Sequence, residues 1–328
     1  MRRRDFLAWM GMGWPLCAEA VQVQYPPVTP GYRFSFPADH GAHPEFRIEW
    51  WYITGWLDDA LGFQVTFFRA RPEEESDNPS RFNPRQILLA HAALSDPKRG
   101  RLLHDERAAR AGFGLAQAET GRTGVWIEDW SLALEGERYE ARIAAREFDF
   151  AFTFLASRVV LQGEGGFSRK GHRPHEASYY YSRPHMRVAG RLNGRQVSGS
   201  AWLDHEWSSA YLAPEAAGWD WTGINLQEGK SLMAFRMRDR SGAPHYVPPG
   251  TRFEALRWWR SPRTGVQYPV SMQVNGVRLE PLMDDQELDS RASTGTIYWE
   301  GAVRAFREAS QVGQGYLELT GYWKPMKL

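Results

Sequence analysis

From Phe46 onward, apolar and polar residues alternate in short runs, as in Phe63-Gln64-Val65-Thr66-Phe67-Phe68 and Tyr316-Leu317-Glu318-Leu319-Thr320, with Gly, Pro, Asn or Asp clusters between them. A period of two predicts half-buried strands. Two Asn-Gly pairs mark tight hairpins: Asn193-Gly194 between Arg187–Leu192 and Arg195–Val197, and Asn275-Gly276 between Ser271–Val274 and Val277–Leu279. No long stretch keeps a 3.6-residue apolar period, and the best helical candidates, near Glu106–Ala111 and Ala213–Ala217, are short. The fold class is therefore all-β. Antiparallel strands hide their edges by closing into barrels, and a chain of 328 residues has room for two, expected over 21–185 and 186–328.

On the strand predicted after Phe46, alternate residues share a face. Arg47, Glu49, Trp51 and Ile53 point one way, while Ile48, Trp50, Tyr52 and Thr54 point the other. The same rule puts Leu203, His205 and Trp207 on one face, with Trp202, Asp204 and Glu206 on the opposite one. Two polar stretches read as surface loops: Arg71–Arg85, a solvated insertion rather than a lid, and the Gly-rich Gly163–Pro174, which lacks phosphate-loop spacing.

The N-terminus changes the picture of where the chain works. Arg2-Arg3-Arg4-Asp5-Phe6-Leu7, an apolar run to Leu16 and a small-x-small pattern at Ala18-Glu19-Ala20 read as a twin-arginine export signal. Cleavage is expected after Ala20, giving a periplasmic protein. Cys17, the one cysteine of the chain, lies inside this leader, and Pro15-Leu16 before it do not suit lipid attachment. The processed chain would then form no disulfide and carry no thiolate ligand or Cys nucleophile.

Composition narrows the chemistry. With 40 Lys+Arg against 39 Asp+Glu, the net charge is +1, so no basic field gathers phosphates and nucleic acid is excluded as a partner. The chain holds 15 Trp, 13 Tyr and 17 Phe, which suit pleated surfaces and can wall an apolar ligand site.

The densest chemistry lies in Trp202-Leu203-Asp204-His205-Glu206-Trp207-Ser208 and Gly218-Trp219-Asp220-Trp221. A carboxyl among apolar walls has its pKa raised and can stay protonated at neutral pH as a proton donor. Tryptophan faces attract cations. Together these suit protonation of an unactivated alkene, stabilisation of the carbocation and capture by water. The competing reading is a buried polar network tying strands together. His172-x-x-His175 sits in a loop, and Asp204, His205 and Glu206 are consecutive, so neither spacing makes a metal site. No cofactor motif is present.

These stretches, with His43-Pro44-Glu45-Phe46-Arg47-Ile48-Glu49-Trp50-Trp51-Tyr52-Ile53-Thr54-Gly55, Ser178-Tyr179-Tyr180-Tyr181-Ser182-Arg183-Pro184, Tyr298-Trp299-Glu300-Gly301 and Gly315–Tyr322, resemble the lipocalin-like family that joins carotenoid 1,2-hydratases (hydroxyneurosporene synthases) with AttH proteins. The resemblance spans nearly the whole processed chain and implies two lipocalin-like antiparallel β-barrel domains. It also implies cofactor-free hydration of an acyclic isoprenoid, or binding of an isoprenoid or acyl lipid. His205 and Trp207 match the hydratase Asp-His-x-Trp motif, and Glu206 stands where the hydratases carry Asn, so the chain looks closer to the exported AttH-like branch. The proton donor implied is Asp220, with Asp204 second. Trp202, Trp219, Trp221, Tyr180, Trp51 and Trp299 are the expected ligand walls. A membrane transporter partner would follow by analogy alone.

Overall fold

The computed structural model of the protein describes residues 21–75, 80, 83 and 85–327. The leader and its cleavage after Ala20 lie outside these residues, as do positions 76–79, 81, 82 and 84 of the Arg71–Arg85 stretch. Among the described residues the chain is built from antiparallel strands in two large sheets, one of 13 strands and one of nine. The first curls into a near-barrel and the second into a half-barrel.

In the first sheet the order runs Leu102–Arg110, Ile87–Ser95, Leu61–Ala70, Ile48–Leu57, Arg195–Ser208, Ala177–Leu192, Asp149–Leu155 and onward to Ala116–Ala118. Its interior is filled rather than hollow, with Phe63, Phe150, Phe152 and Phe154 in ring contact and Trp51, Leu203 and Trp207 in the same core. The second sheet centres on Ala216–Leu226, Ser310–Leu319 and Thr296–Arg307, over a core of Ile224, Trp299, Val303 and Leu317.

Both Asn-Gly hairpins are present. Asn193 and Gly194 have φ of 49° and 75°, and Asn275 and Gly276 have 47° and 81°, the paired left-handed residues that such turns require. Neither helical candidate is a helix: Glu106–Arg110 belongs to the strand Leu102–Arg110, where pairing overrides weak local propensity, and Ala213–Ala217 is a turn that leads into the strand Ala216–Leu226.

The sheets divide between Ser208 and Ala216 rather than at 185/186. Pro184 and His185 form a bulge, with a register shift between Arg183 and Met186, and the strand runs straight through to Leu192. The hairpin that follows stays in the first sheet with its outer residues exposed, and only farther along, at Trp202, Asp204 and Glu206, does that face meet the second sheet.

The two sheets pack closely. Trp56 Nε1 donates to the Gly315 carbonyl at 3.0 Å, Ser95 Oγ to Gln286 Oε1 at 2.7 Å, and His91 Nδ1 lies 2.8 Å from the Tyr298 hydroxyl. A Cβ on Gly62 would stand 2.5 Å from Ala302 Cβ and 2.7 Å from the Tyr316 hydroxyl. Glycine is what admits the second sheet here.

Candidate functional site

The alternation along Arg195–Ser208 sends its residues into two chambers. Leu203, His205 and Trp207 enter the near-barrel, while Trp202, Asp204 and Glu206 face the second sheet.

Inside the near-barrel, Glu49 is the centre. Its Oε1 accepts from His43 Nδ1 at 2.7 Å and from His205 Nε2 at 2.8 Å, and its Oε2 accepts from Arg69 Nε at 2.9 Å. Burial alone would push His43 down, but the Glu49 and Asp39 carboxylates lift it to about 9. Burial likewise works against the Glu49 charge, and His43 and Arg69 overcome it, holding the carboxyl well below its ordinary range. His43 stacks on Trp207 with centroids 3.7 Å apart and an interplanar angle of 8°, a cation held on an indole face. Trp51 stacks on His205 at 4.7 Å.

The hydrogen bonds fix a tautomer chain. Arg183 can only donate, so His40 Nε2, 3.0 Å from Arg183 Nη2, is an acceptor. His40 Nδ1 then donates to the Tyr181 hydroxyl at 2.7 Å, Tyr181 donates to His205 Nδ1 at 3.1 Å, and His205 Nε2 donates to Glu49. Burial lowers both imidazoles, His40 to about 3, in keeping with this neutral relay.

His43, Glu49 and His205 offer donor atoms within 4.8 Å of one another, close enough for a metal ion. Yet each atom is committed to a proton bridge, and Arg69 adds a guanidinium on the same carboxylate. A cation would have to displace these protons beside existing positive charge. The chemistry of this donor set is that of a charge-balanced network.

Between the sheets lies a cavity of about 360 Å³. Its walls are Phe68, Leu89 and Trp50 from the first sheet and Trp219, Trp221 and Tyr298 from the second, with Tyr211 from the connection between them. Asp204 reaches it with Oδ2 accepting from the Tyr180 hydroxyl at 2.7 Å and Oδ1 from Trp202 Nε1 at 2.7 Å, and Ser182 donates as well. Trp221 Nε1 donates to the Tyr180 hydroxyl at 3.0 Å. Burial outweighs these three donors and pushes Asp204 up to about 7. Glu206 is paired with Lys170 Nζ at 2.7 Å, and that ammonium lies 4.0 Å from the centre of the Phe235 ring.

Two further carboxyls line the cavity. Glu300 and Glu318 sit opposite each other on adjacent strands. Glu318 Oε2 accepts from Trp219 Nε1 at 2.9 Å, and burial pushes the carboxyl up to about 7. Glu300 takes the Tyr52 hydroxyl on Oε1 and has no partner on Oε2; burial, then the Glu318 charge, push it well above its ordinary range. Neither residue was singled out from the sequence. The available signal was a glutamate at alternating positions of two otherwise buried apolar strands, Tyr298-Trp299-Glu300 and Tyr316-Leu317-Glu318.

The expected site residues therefore separate. Asp204, Trp219 and Trp221 line the cavity, with Trp202 and Tyr180 directly behind Asp204. His205, Trp207 and Trp51 belong to the near-barrel interior. Asp220 faces the second sheet's own core, where Arg238 Nε meets Oδ1 at 2.8 Å and Arg236 Nε meets Oδ2 at 2.7 Å. Trp299 lies in that core too, its Nε1 donating to the Asp284 carbonyl at 2.8 Å. Strand alternation decides both, because Trp219 and Trp221 flank Asp220, and Tyr298 and Glu300 flank Trp299, from the opposite face.

The AttH-like family model matches residues 27–322. Among solved structures, a protein assigned as AttH from Nitrosomonas europaea is 48% identical, with 90% of this chain and 99% of that one covered at a TM-score of 0.83. The kievitone hydratase of Nectria haematococca superposes at a TM-score of 0.60 over 93% of this chain and 98% of its own, with 12% identity, a likeness of fold. No curated protein matches the sequence. With a family model spanning nearly all of the described chain and a relative of this identity, the chain belongs to the AttH-like family.

Proposed function

We propose that the protein binds an apolar small molecule, of isoprenoid or acyl-lipid type, in the cavity between its two sheets. The observation that carries this reading is a wall of indole, phenyl and aliphatic groups around about 360 Å³, within the range of small-molecule sites. Transfer of a hydrocarbon chain into such a space is favoured by about 25 cal/mol per Å² of apolar surface removed from water. The leader at Met1–Ala20 adds export to the proposal, with the binder acting in the periplasm.

A second reading, acid-catalysed hydration of an isoprenoid double bond, is favoured by Asp204, a buried carboxyl near pKa 7 on the cavity wall. Its proton would add to one alkene carbon, and the resulting cation would rest against Trp219 and Trp221. Water would close the bond to the other carbon and return its proton to Asp204. Asp220, with two guanidiniums on its carboxylate, is no longer the proton donor of choice.

Native mass spectrometry of protein purified from its own host, followed by solvent extraction, tests the binding reading. A stoichiometric apolar ligand that is absent from a Trp219→Arg variant supports it. A protein that stays ligand-free after incubation with the host's lipid extract contradicts it. Recovery of an alkene together with its hydrated form would move the assignment to the enzyme.

A further inference from the structure

We infer that the ligand of this cavity carries a basic nitrogen, bound as an ammonium at the Glu300–Glu318 carboxyl pair. This rests on the reading of the cavity as a ligand site and names what that site selects.

The two glutamates are register partners on the Thr296–Arg307 and Ser310–Leu319 strands, and such partners hold their Cβ atoms roughly 4.5–5.5 Å apart. Like charges placed directly opposite are unfavourable, and a buried carboxylate is costly unless something pairs with it. Among the described residues each carboxyl has a single side-chain donor, the Tyr52 hydroxyl on Glu300 and Trp219 Nε1 on Glu318. Glu300 is 1% exposed, lines the cavity, and keeps Oε2 buried without any partner.

Neither carboxyl has an ion pair among the described residues. The buried cations nearby are committed elsewhere, Lys170 to Glu206 and Arg69 to Glu49, and Lys327, the other cation on the cavity lining, is exposed to solvent. The Glu300–Glu318 pair therefore takes either protons or a cation that enters with the ligand. An ammonium has three donors and can serve the free Glu300 oxygen and Glu318 together. Trp50, Trp219 and Tyr298 stand around the same space, and aromatic faces add attraction for a desolvated cation. An alcohol would serve one acceptor and leave the pair dependent on its own protons. A carboxylate ligand would meet repulsion.

The test uses three probes with one chain length, octylamine, octanol and octanoate, titrated into the full-length protein at about pH 8 by calorimetry and tryptophan fluorescence. Octylamine is expected to bind at least about tenfold more tightly than octanol, and octanoate most weakly. Glu300→Gln, Glu318→Gln and the double variant, which keep side-chain shape, are each expected to lower octylamine affinity more than octanol affinity, so that the amine preference falls. Circular dichroism and melting curves establish that each variant is folded. Octanol binding as well as octylamine, or an amine preference that persists in the double variant, overturns the inference and leaves the apolar-ligand reading standing. Failure of all three probes to bind removes both.

Discussion

Asp204 and His205 are chain neighbours whose side chains occupy separate chambers. The Asp204 carboxyl reaches the cavity between the sheets, whereas His205 Nε2 lies 2.8 Å from Glu49 inside the near-barrel. The consecutive residues of one motif therefore have unlike surroundings: His205 joins the Glu49 and His43 network of the near-barrel, and Asp204 borders the cavity.

Trp207 and Trp219 make this separation measurable. Trp207 is fully buried in the barrel core, stacked on His43, so Trp207→Ala is expected to cost roughly 3–5 kcal/mol of stability with ligand affinity preserved in the folded fraction. Trp219 lines the cavity, and Trp219→Ala is expected to weaken binding with a smaller change in melting temperature. Equal loss of affinity in both variants, measured by ligand titration, would contradict the assignment of the two chambers.

Asp220 is a structural residue in this account. Asp220→Asn leaves Arg236 and Arg238, with side chains 15% and 4% exposed, without their counter-charge. Breaking a buried pair from one side costs roughly 3–5 kcal/mol, and urea unfolding should register that loss. Full stability in this variant would show that the guanidiniums are satisfied in some other way.

His43 gives a stability term that fades with rising pH. Its pKa stands at about 9 against an ordinary 6.5, so protonation stabilises the fold fully below about 6.5. That stabilisation is lost as pH rises through about 9. The shift corresponds to a contribution on the order of 3 kcal/mol. Denaturant melts should find His43→Gln much less stable than the parent at about pH 6, with the gap narrowing above about pH 9. A gap independent of pH would contradict the charged state of His43.

Glu318 titrates with the same sign from a different cause. Burial raises it from 4.5 to about 7, so its contribution is present below about 4.5 and is lost as pH climbs through about 7. The loss is on the order of 3 kcal/mol. Glu318→Gln removes it, and the variant is expected to exceed the parent in stability at about pH 8 in urea unfolding. A variant less stable than the parent at that pH would show that the carboxylate is compensated.

Strand identity was legible from the sequence because it depends on neighbours along the chain. Asn193-Gly194 and Asn275-Gly276 located two hairpins, and the period of two placed Trp202, Asp204 and Glu206 opposite Leu203, His205 and Trp207. Which sheet each face would meet depends on partners distant in sequence. Asp220 looked like a free acid between two tryptophans because Arg236 and Arg238 arrive from the next strand. Glu300 and Glu318 acquire meaning only when their two strands come into register. The cavity lies between the sheets rather than inside the near-barrel, because phenylalanine and tryptophan rings already fill that interior.

Anomalous diffraction from crystals of the protein soaked with 8-bromooctanol would locate a bound apolar probe directly. A bromine peak is expected among Phe68, Trp219, Trp221 and Tyr298, between the two sheets. A peak inside the near-barrel beside Trp207, or no peak in that cavity at saturating probe, would contradict the proposed ligand site.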